Sequence, residues 1–481
     1  MRLAPSVFLS MLVLAPLCTG CGDDTDDNTT PPATNPVVLK NHSATPALVK
    51  NMTTGVEVYS LLGSDDTLAQ SPGFIFGGSA DGTGVLKNDD GTYTMLVNNE
   101  DNFAVSRITL DKTFKPVRGE YVVNSDGARW RLCSATMATP AEHGFGPVFL
   151  TCGESGEESM THAIDPRGGL NQSRPLPALG HWSAENALPL PAVSYPGKTV
   201  ILIGDDDSGP YGGQMVMYVA NSVGDLNNGK LYVLARKDNT TRERAMAAGQ
   251  SYEVEFREIP NATSMSGAQL NAKSAQLQSI AFGRVEDVDY RKGGAESGRE
   301  VYFTVTGQAF TGVNADSSRT KYGRIYRLKL DAGDPLKGSL ECVLDGDDRN
   351  GPAKSFQDPD NICVTQNYVY FVEDPNGYGD ETHDAYLYQY NIGSKALAPL
   401  FELDHRRGDA KYNVGGDSKK GAWEFAAMVD LSDLIGIPNT FILCVQPHTW
   451  TGARYRGVDG GTLRATEEQA SQMLVVKGLP R

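Results

Sequence analysis

The 481-residue chain is poor in histidine: it has seven, and no two stand at the spacing of a zinc site. Zinc held by paired histidines is therefore outside its chemistry. It has no Gly-x-Ser-x-Gly elbow, since Gly153-Glu154-Ser155-Gly156 has the wrong spacing, and so offers no nucleophilic serine of that kind. It carries no Walker loop and no dinucleotide fingerprint after a strand, which excludes those nucleotide-binding folds. Basic residues are outnumbered, 43 Lys and Arg against 59 Asp and Glu, for a net charge of -16. A chain so short of cations is a poor partner for nucleic acid, which is held through basic patches. Bulk negative charge by itself speaks only for solubility; it acquires meaning where acids cluster. Amphipathic helical periodicity is scarce, and long apolar runs are limited to one.

That run, Val7-Phe8-Leu9-Ser10-Met11-Leu12-Val13-Leu14 behind Arg2, is too short to span a bilayer and reads as the core of a signal peptide over residues 1–20. Leu17-Cys18-Thr19-Gly20-Cys21 resembles a bacterial lipobox, which implies cleavage before Cys21 and acylation of its thiol. Residues 21–38, rich in Asp, Thr, Asn and Pro, bury nothing and form a lipidated, disordered tether. The expectation is an exported lipoprotein of the bacterial cell envelope, monomeric, in contact with the membrane through its lipid alone. Residues 39–481 form a single domain.

One theme fills that domain: a short apolar or alternating run, then a turn. Ten runs carry the β-branched and aromatic signature of strands. They are residues 93–97, 148–151, 199–203, 215–219, 230–234, 300–305, 323–328, 368–372, 385–390 and 440–445. With 52 Gly and 26 Pro, turn signals are dense, Asn88 to Gly91 and Asn227 to Gly229 among them. A short helix is expected within Ser266 to Ala281 and another at Thr466 to Leu474. Many short strands over this length specify an all-β fold, a β-propeller of six blades with long loop insertions. In a propeller, strand ends from different blades converge on a central channel, so residues remote in sequence can meet.

Five cysteines lie outside the export segment. Cys342, Cys363 and Cys444 sit in apolar runs and read as small buried residues, which is also the alternative reading of Cys133. Cys133, with Glu185 in His181-Trp182-Ser183-Ala184-Glu185 and Glu286 in Arg284-Val285-Glu286-Asp287, is a thiol and two carboxylates able to hold a hard, oxidised metal ion. Gly204-Asp205-Asp206-Asp207 follows a buried strand. Three adjacent aspartates repel one another unless solvated or neutralised by a cation.

The order of these motifs is informative. Leu96 to Asp101 comes first, then Cys133 ahead of Thr139-Pro140, and Phe149 to Glu154. His181 to Glu185, Val200 to Asp207, Gly229 to Val233 and Arg284 to Asp287 follow, before Phe356 to Ile362, Glu424 and Gln446-Pro447-His448. The succession, over residues 73 to 450, resembles the PhoX-type alkaline phosphatases, propeller enzymes that use iron and calcium. The resemblance implies an iron centre on Cys133, Glu185 and Glu286, and calcium at Asp205 and Asp206, with Glu100 and Glu154 as further oxygen ligands. It implies hydrolysis of small phosphate esters, with Arg284 gripping phosphate in a two-pronged contact and Asn98 donating to it. Asp360, Asn361 and Glu424 read as turn or calcium groups and His448 as a support.

The chain departs from the family pattern at several points. Asn99 stands where relatives have histidine, Val285 where they have proline, residues 141–146 replace a Trp-Gly-Thr run, and His181 to Ala184 replaces Arg-Phe-x-His. These changes put the pocket's shape in question. They keep open two alternatives, a surface propeller that binds a ligand or partner without catalysis and a calcium-only propeller hydrolase.

Overall fold

The computed structural model describes residues 36–296, 298–415 and 419–481, and the larger compact unit runs from Val37 to Arg481. The export segment, Cys21 and all but the last three residues of the expected tether lie outside the described residues. No helix among them is long and apolar enough to cross a membrane.

All ten expected runs are strands, each with its apolar side chains buried. The expected helix forms over Gly267–Gln276, started by a capping box in which Ser266 and Gln269 satisfy each other's backbone N–H. The expected C-terminal helix does not form. Gln472–Lys477 is instead a strand wedged between Thr440–Gln446 and Glu57–Gly63, and pairing on both edges overrides its local preference.

The strands form an all-β propeller of antiparallel sheets: three of four strands, one of five, and one continuous sheet of nine. In the nine-stranded sheet two four-stranded meanders are joined at their outer edges by Ser251–Glu258, which pairs with Lys230–Arg236 on one side and Lys337–Asp345 on the other. Hydrogen bonding therefore gives five sheets where six blades were expected. The innermost strands nevertheless number six: Ala80–Lys87, Leu132–Ala138, Ala184–Pro189, Val285–Tyr290, Pro359–Val364 and Glu424–Asp430. Each packs on the next, and the last returns to the first, closing a ring about the axis. The closing sheet takes its outer strand, Glu57–Gly63, from the start of the domain and its neighbour, Gln472–Lys477, from the end. Apolar residues of the second and third strands fill the layers between sheets, with Tyr218, Tyr302, Tyr326 and Tyr370 fully buried.

Every inner strand carries the same irregularity. Pairing with its neighbour skips from Ala80 to Thr83, Leu132 to Ala135, Ala184 to Ala187, Val285 to Val288, Pro359 to Ile362 and Phe425 to Met428. Each skip is a β-bulge, which frees side chains from the pleat and re-aims them. The first freed residue of five strands is Asp81, Cys133, Glu185, Glu286 and Asp360; in the sixth, Glu424 stands one residue before the bulge. This is how an all-β scaffold aims five carboxylates and a thiol at one axis.

Candidate metal centre

A second tier of acids lies just beyond the first. Behind five of the six inner strands, the residue leaving the second strand donates its backbone N–H to the carbonyl of the residue before the inner strand. These bonds are Glu100 to Ser79 (2.9 Å), Glu154 to Arg131 (2.8 Å), Asp206 to Ser183 (2.7 Å), Thr306 to Arg284 (3.0 Å) and Asp374 to Asp358 (3.0 Å). Four of the five donors are acidic, so bulge and rim together stack two tiers of carboxylates at one end of the channel.

The tiers merge into four overlapping groups whose ligand atoms lie within 4.8 Å of one another: Asp81, Cys133 and Glu185; Glu100, Cys133 and Glu154; Glu185, Glu286 and Asp360; Asp360, Asp374 and Glu424. They unite eight carboxylates with one thiol. Cys133 Sγ donates to Asp81 Oδ2 at 3.0 Å. Burial, then the neighbouring Asp81 and Glu185, pushes this thiol well above the usual range. Burial and Glu100 raise Asp81 to about 8. Burial raises Glu185, reinforced by Asp360 and Asp81, and it raises Glu154 and Glu286, each reinforced first by Asp206. The same cause raises Asp360 and Glu424 beside Asp374. Glu185 is 1 % exposed, and its Oε1 has no hydrogen-bond partner. An assembly of this sign, short of protein cations, is completed by metal ions or by protons.

Two guanidiniums border it from equivalent positions, each immediately before an inner strand. Arg131 Nη1 lies 3.3 Å from Glu100 Oε1. Arg284, at φ +71° in the left-handed region, is held by the rim acid of the preceding four-stranded meander. Its Nε donates to Asp206 Oδ1 at 2.8 Å and its Nη2 to Asp206 Oδ2 at 3.1 Å. Nη1 donates to Asn376 Oδ1 at 2.7 Å, and Nη2 lies 3.2 Å from Glu286 Oε1. Beyond Arg284 opens a cleft of about 590 Å³, walled by Glu154, Ser183, Asp206, Asp207, Gln308, Asn376 and Tyr378. Of the cluster's members, Glu154 lines it.

The structure thus brings Cys133, Glu185, Glu286, Glu100 and Glu154 together. Asp205 and Asp206 belong to none of the four groups, although Asp206 borders the cluster closely enough to raise Glu154 and Glu286. Asp206 is spent on Arg284, while Asp205 is buried at its strand's end with neither carboxylate oxygen bonded. Gly204, beside them, is required by packing, because a Cβ there would collide with the carbonyl of Glu286. Asn98 is also placed differently from expectation. It is fully buried, and its Nδ2 donates to the carbonyl of Cys133 and, at 2.8 Å, to Thr151 Oγ1. It braces the Cys133 bulge rather than facing the cleft. Asp360 and Glu424, expected as turn or calcium groups, are members of the cluster, and His448 Nε2 reaches Glu424 Oε1 at 3.5 Å.

Asp81, Asp374 and Arg131 escaped the sequence reading. The available signal was the repeat itself: Asp81 and Glu100, Cys133 and Glu154, Glu185 and Asp206, Asp360 and Asp374 each stand one hairpin apart. The departures from the family pattern fall largely off the cluster. Trp182 is core, its indole N–H donating to Leu179 O at 2.9 Å. Glu142 and His143 line a separate cavity of about 200 Å³, walled by the later residues of the inner strands and so further along the axis. The five described cysteines are buried and unpaired, as read for Cys342, Cys363 and Cys444.

No family model and no curated protein matches this chain. Solved structures do resemble it. PhoX of Pseudomonas fluorescens, in complex with vanadate as a transition state analogue, superposes with a TM-score of 0.62 at 13 % identity, covering 91 % of this chain and 98 % of that one. An α-L-arabinofuranosidase from Fusarium graminearum with an iminosugar inhibitor reaches 0.40 at 10 % identity, covering 87 % and 98 %. The β-propeller domain of the Trilobed protease from Pyrococcus furiosus reaches 0.30 at 9 % identity, covering 77 % and 91 %. At these identities the likeness establishes the propeller fold and no activity, and the two lower scores carry no argument.

Proposed function

We propose that the chain is a PhoX-like, metal-dependent phosphohydrolase on a six-bladed propeller, exported and tethered to the cell envelope through acylated Cys21. Counting the nine-stranded sheet as two blades fused at the rim gives the six, in keeping with the ring of six inner strands. The observation that carries the functional reading is the largely buried union of one thiol and eight carboxylates, one of which, Glu154, also lines an open cleft.

The donor set fits the implied ions. Cys133 and Glu185 share one group with Asp81, and Glu185 and Glu286 share the next with Asp360; these two groups would hold iron, whose oxidised form favours thiolate and carboxylate together, and the orphaned Oε1 of Glu185 is the free ligand such a site needs. The all-oxygen group of Asp360, Asp374 and Glu424 would hold calcium, in place of the Asp205 and Asp206 expected from sequence. Bound there, the metals supply Lewis acidity toward a phosphoryl oxygen. The protein's own contribution is orientation. Asn98 and the bulge fix Cys133; Arg284 presents its remaining Nη1–H to the cleft; Asn376 holds that guanidinium in place. The burial of the cluster keeps water off its lower tier and strengthens every charge interaction within it.

The test is elemental analysis of the purified protein with hydrolysis of p-nitrophenyl phosphate. Iron and calcium near stoichiometric amounts, and activity lost on chelation, are the expected result. Protein that stays metal-free and inactive after reconstitution ends this reading, and calcium activation without iron would favour the calcium-only hydrolase instead.

A further inference from the structure

Arg131 and Arg284 each stand immediately before an inner strand, and each reaches back to the rim acid beside the preceding inner strand. The contacts differ in kind. Arg131 meets Glu100 at one point, 3.3 Å away, and its side chain is 42 % exposed. Arg284 is clasped by both oxygens of Asp206, and the two side chains are 19 % and 5 % exposed. A guanidinium has five N–H groups. On Arg284, Nε–H and one Nη2–H go to Asp206, the second Nη2–H faces Glu286, and one Nη1–H goes to Asn376. A single Nη1–H is left for anything entering the cleft.

Two-pronged recognition of phosphate by arginine uses an edge of the guanidinium with two parallel N–H bonds. Asp206 fills the Nε–Nη2 edge, and Asn376 with Glu286 draws on the other. A carboxylate and a phosphate present two oxygens in the same manner, so the two compete for one seat. We propose that Asp206 is an internal mimic of the substrate's phosphate: it occupies the Nε–Nη2 edge of Arg284 and yields it when a phosphate enters, and it thereby sets the affinity of the site for phosphate esters and for released orthophosphate. The inference rests on the phosphohydrolase reading. Asp206 has somewhere to go. Its backbone is pinned to Ser183, while its side chain forms part of the wall of the open cleft. Because the competitor is tethered beside its seat, its effective concentration is high, and product phosphate is held weakly. In the Arg131 sheet the looser contact leaves no comparable clasp.

The experiment is calorimetric titration of the full-length, metal-loaded protein with inorganic phosphate, with iron and calcium measured in every sample. Asp206→Asn should bind phosphate about tenfold more tightly than the wild type at unchanged metal content. Asp206→Ser, which removes the carboxylate with a smaller side chain, should do the same if the asparagine variant does not fold. Asp207→Asn removes an equal charge from the same cleft without touching Arg284, and should change the affinity by less than about threefold. In an Arg284→Lys background, where the fork is gone, Asp206→Asn should have no further effect beyond about threefold. The proposal is overturned if Asp206→Asn weakens binding or loses metal, if Asp207→Asn tightens binding equally, or if the gain persists with Arg284→Lys. Folded, metal-loaded wild type that binds no phosphate would instead bring down the phosphohydrolase reading, and this inference with it.

Discussion

Glu286 and Asp287 are consecutive residues of one inner strand, and both are buried, yet their surroundings are opposite. Asp287 Oδ1 accepts from Asn186 Nδ2 and from Val288 N–H, each at 2.7 Å, and Oδ2 accepts from Ile362 N–H at 3.1 Å. Burial lifts it, but these donors restrain it to about 6. Glu286 faces the axis among Asp206, Asp360 and Glu185, with only Arg284 against it, and lies well above the usual carboxylate range through burial and that crowding. Glu185 is in the same position with no hydrogen bond to Oε1. Asp289, further along, repeats the Asp287 pattern, taking Tyr290 N–H, Val364 N–H and Lys292. The bulge thus sorts acids into two classes. One finds its partners within the chain and staples neighbouring strands of the ring; the other is left crowded, with few partners or none.

Breaking the crowded class gives the largest expected effect. Cys133→Ala removes the one soft donor of the cluster and should abolish iron content and phosphatase activity together, read by elemental analysis and p-nitrophenyl phosphate turnover. The self-satisfied class should fail differently. Asp287→Ala orphans three donors and should cost about 3–5 kcal/mol in urea unfolding, by the same amount with or without chelator. Glu185→Gln sharpens the contrast by reversing a sign. In chelator-treated protein it removes a buried, crowded carboxyl that folding must protonate, and should raise stability at neutral pH by about 1–2 kcal/mol while lowering iron binding.

A smaller effect separates ordinary burial from crowding. His143 and His162 are each 4 % exposed and, through burial, are lowered to about 4. Above pH 6.5 they are neutral in both folded and unfolded chains. As pH falls from 6.5 to 4 the unfolded chain takes up protons that the folded one refuses, so stability is lost across that window, by at most ~3 kcal/mol per histidine. His143→Gln and His162→Gln should each flatten the urea midpoint between pH 7.5 and 4.5 relative to wild type at matched metal loading.

How far the sequence announces all this depends on where each strand lies. The second and third strands of the sheets, such as Thr199–Asp205 and Thr440–Gln446, are buried throughout with apolar centres and were legible at once. The inner strands were not. Pro359–Val364 reads Pro-Asp-Asn-Ile-Cys-Val, and Val285–Tyr290 alternates acids with apolar residues on a strand buried on both faces. Function has displaced the hydrophobic signature there. Cys133, Glu185 and Glu286 were found through a succession of motifs, not through periodicity. Asp81 sits between Ala80 and Gly82 in a run with no catalytic flavour, and only the closed ring reveals it as the neighbour of Cys133. The opposite mistake arose at Gln472–Lys477, where a partner hundreds of residues away decides the conformation.

The pairing of Glu57–Gly63 with Gln472–Lys477 sets an order of events during biosynthesis. The sheet bearing Glu424 lacks its last two strands until Gln472–Lys477 has been made, and without that sheet the ring stays open and the two tiers of acids cannot face one another. The cluster is consequently assembled late, by a strand more than 400 residues from its partner Glu57–Gly63.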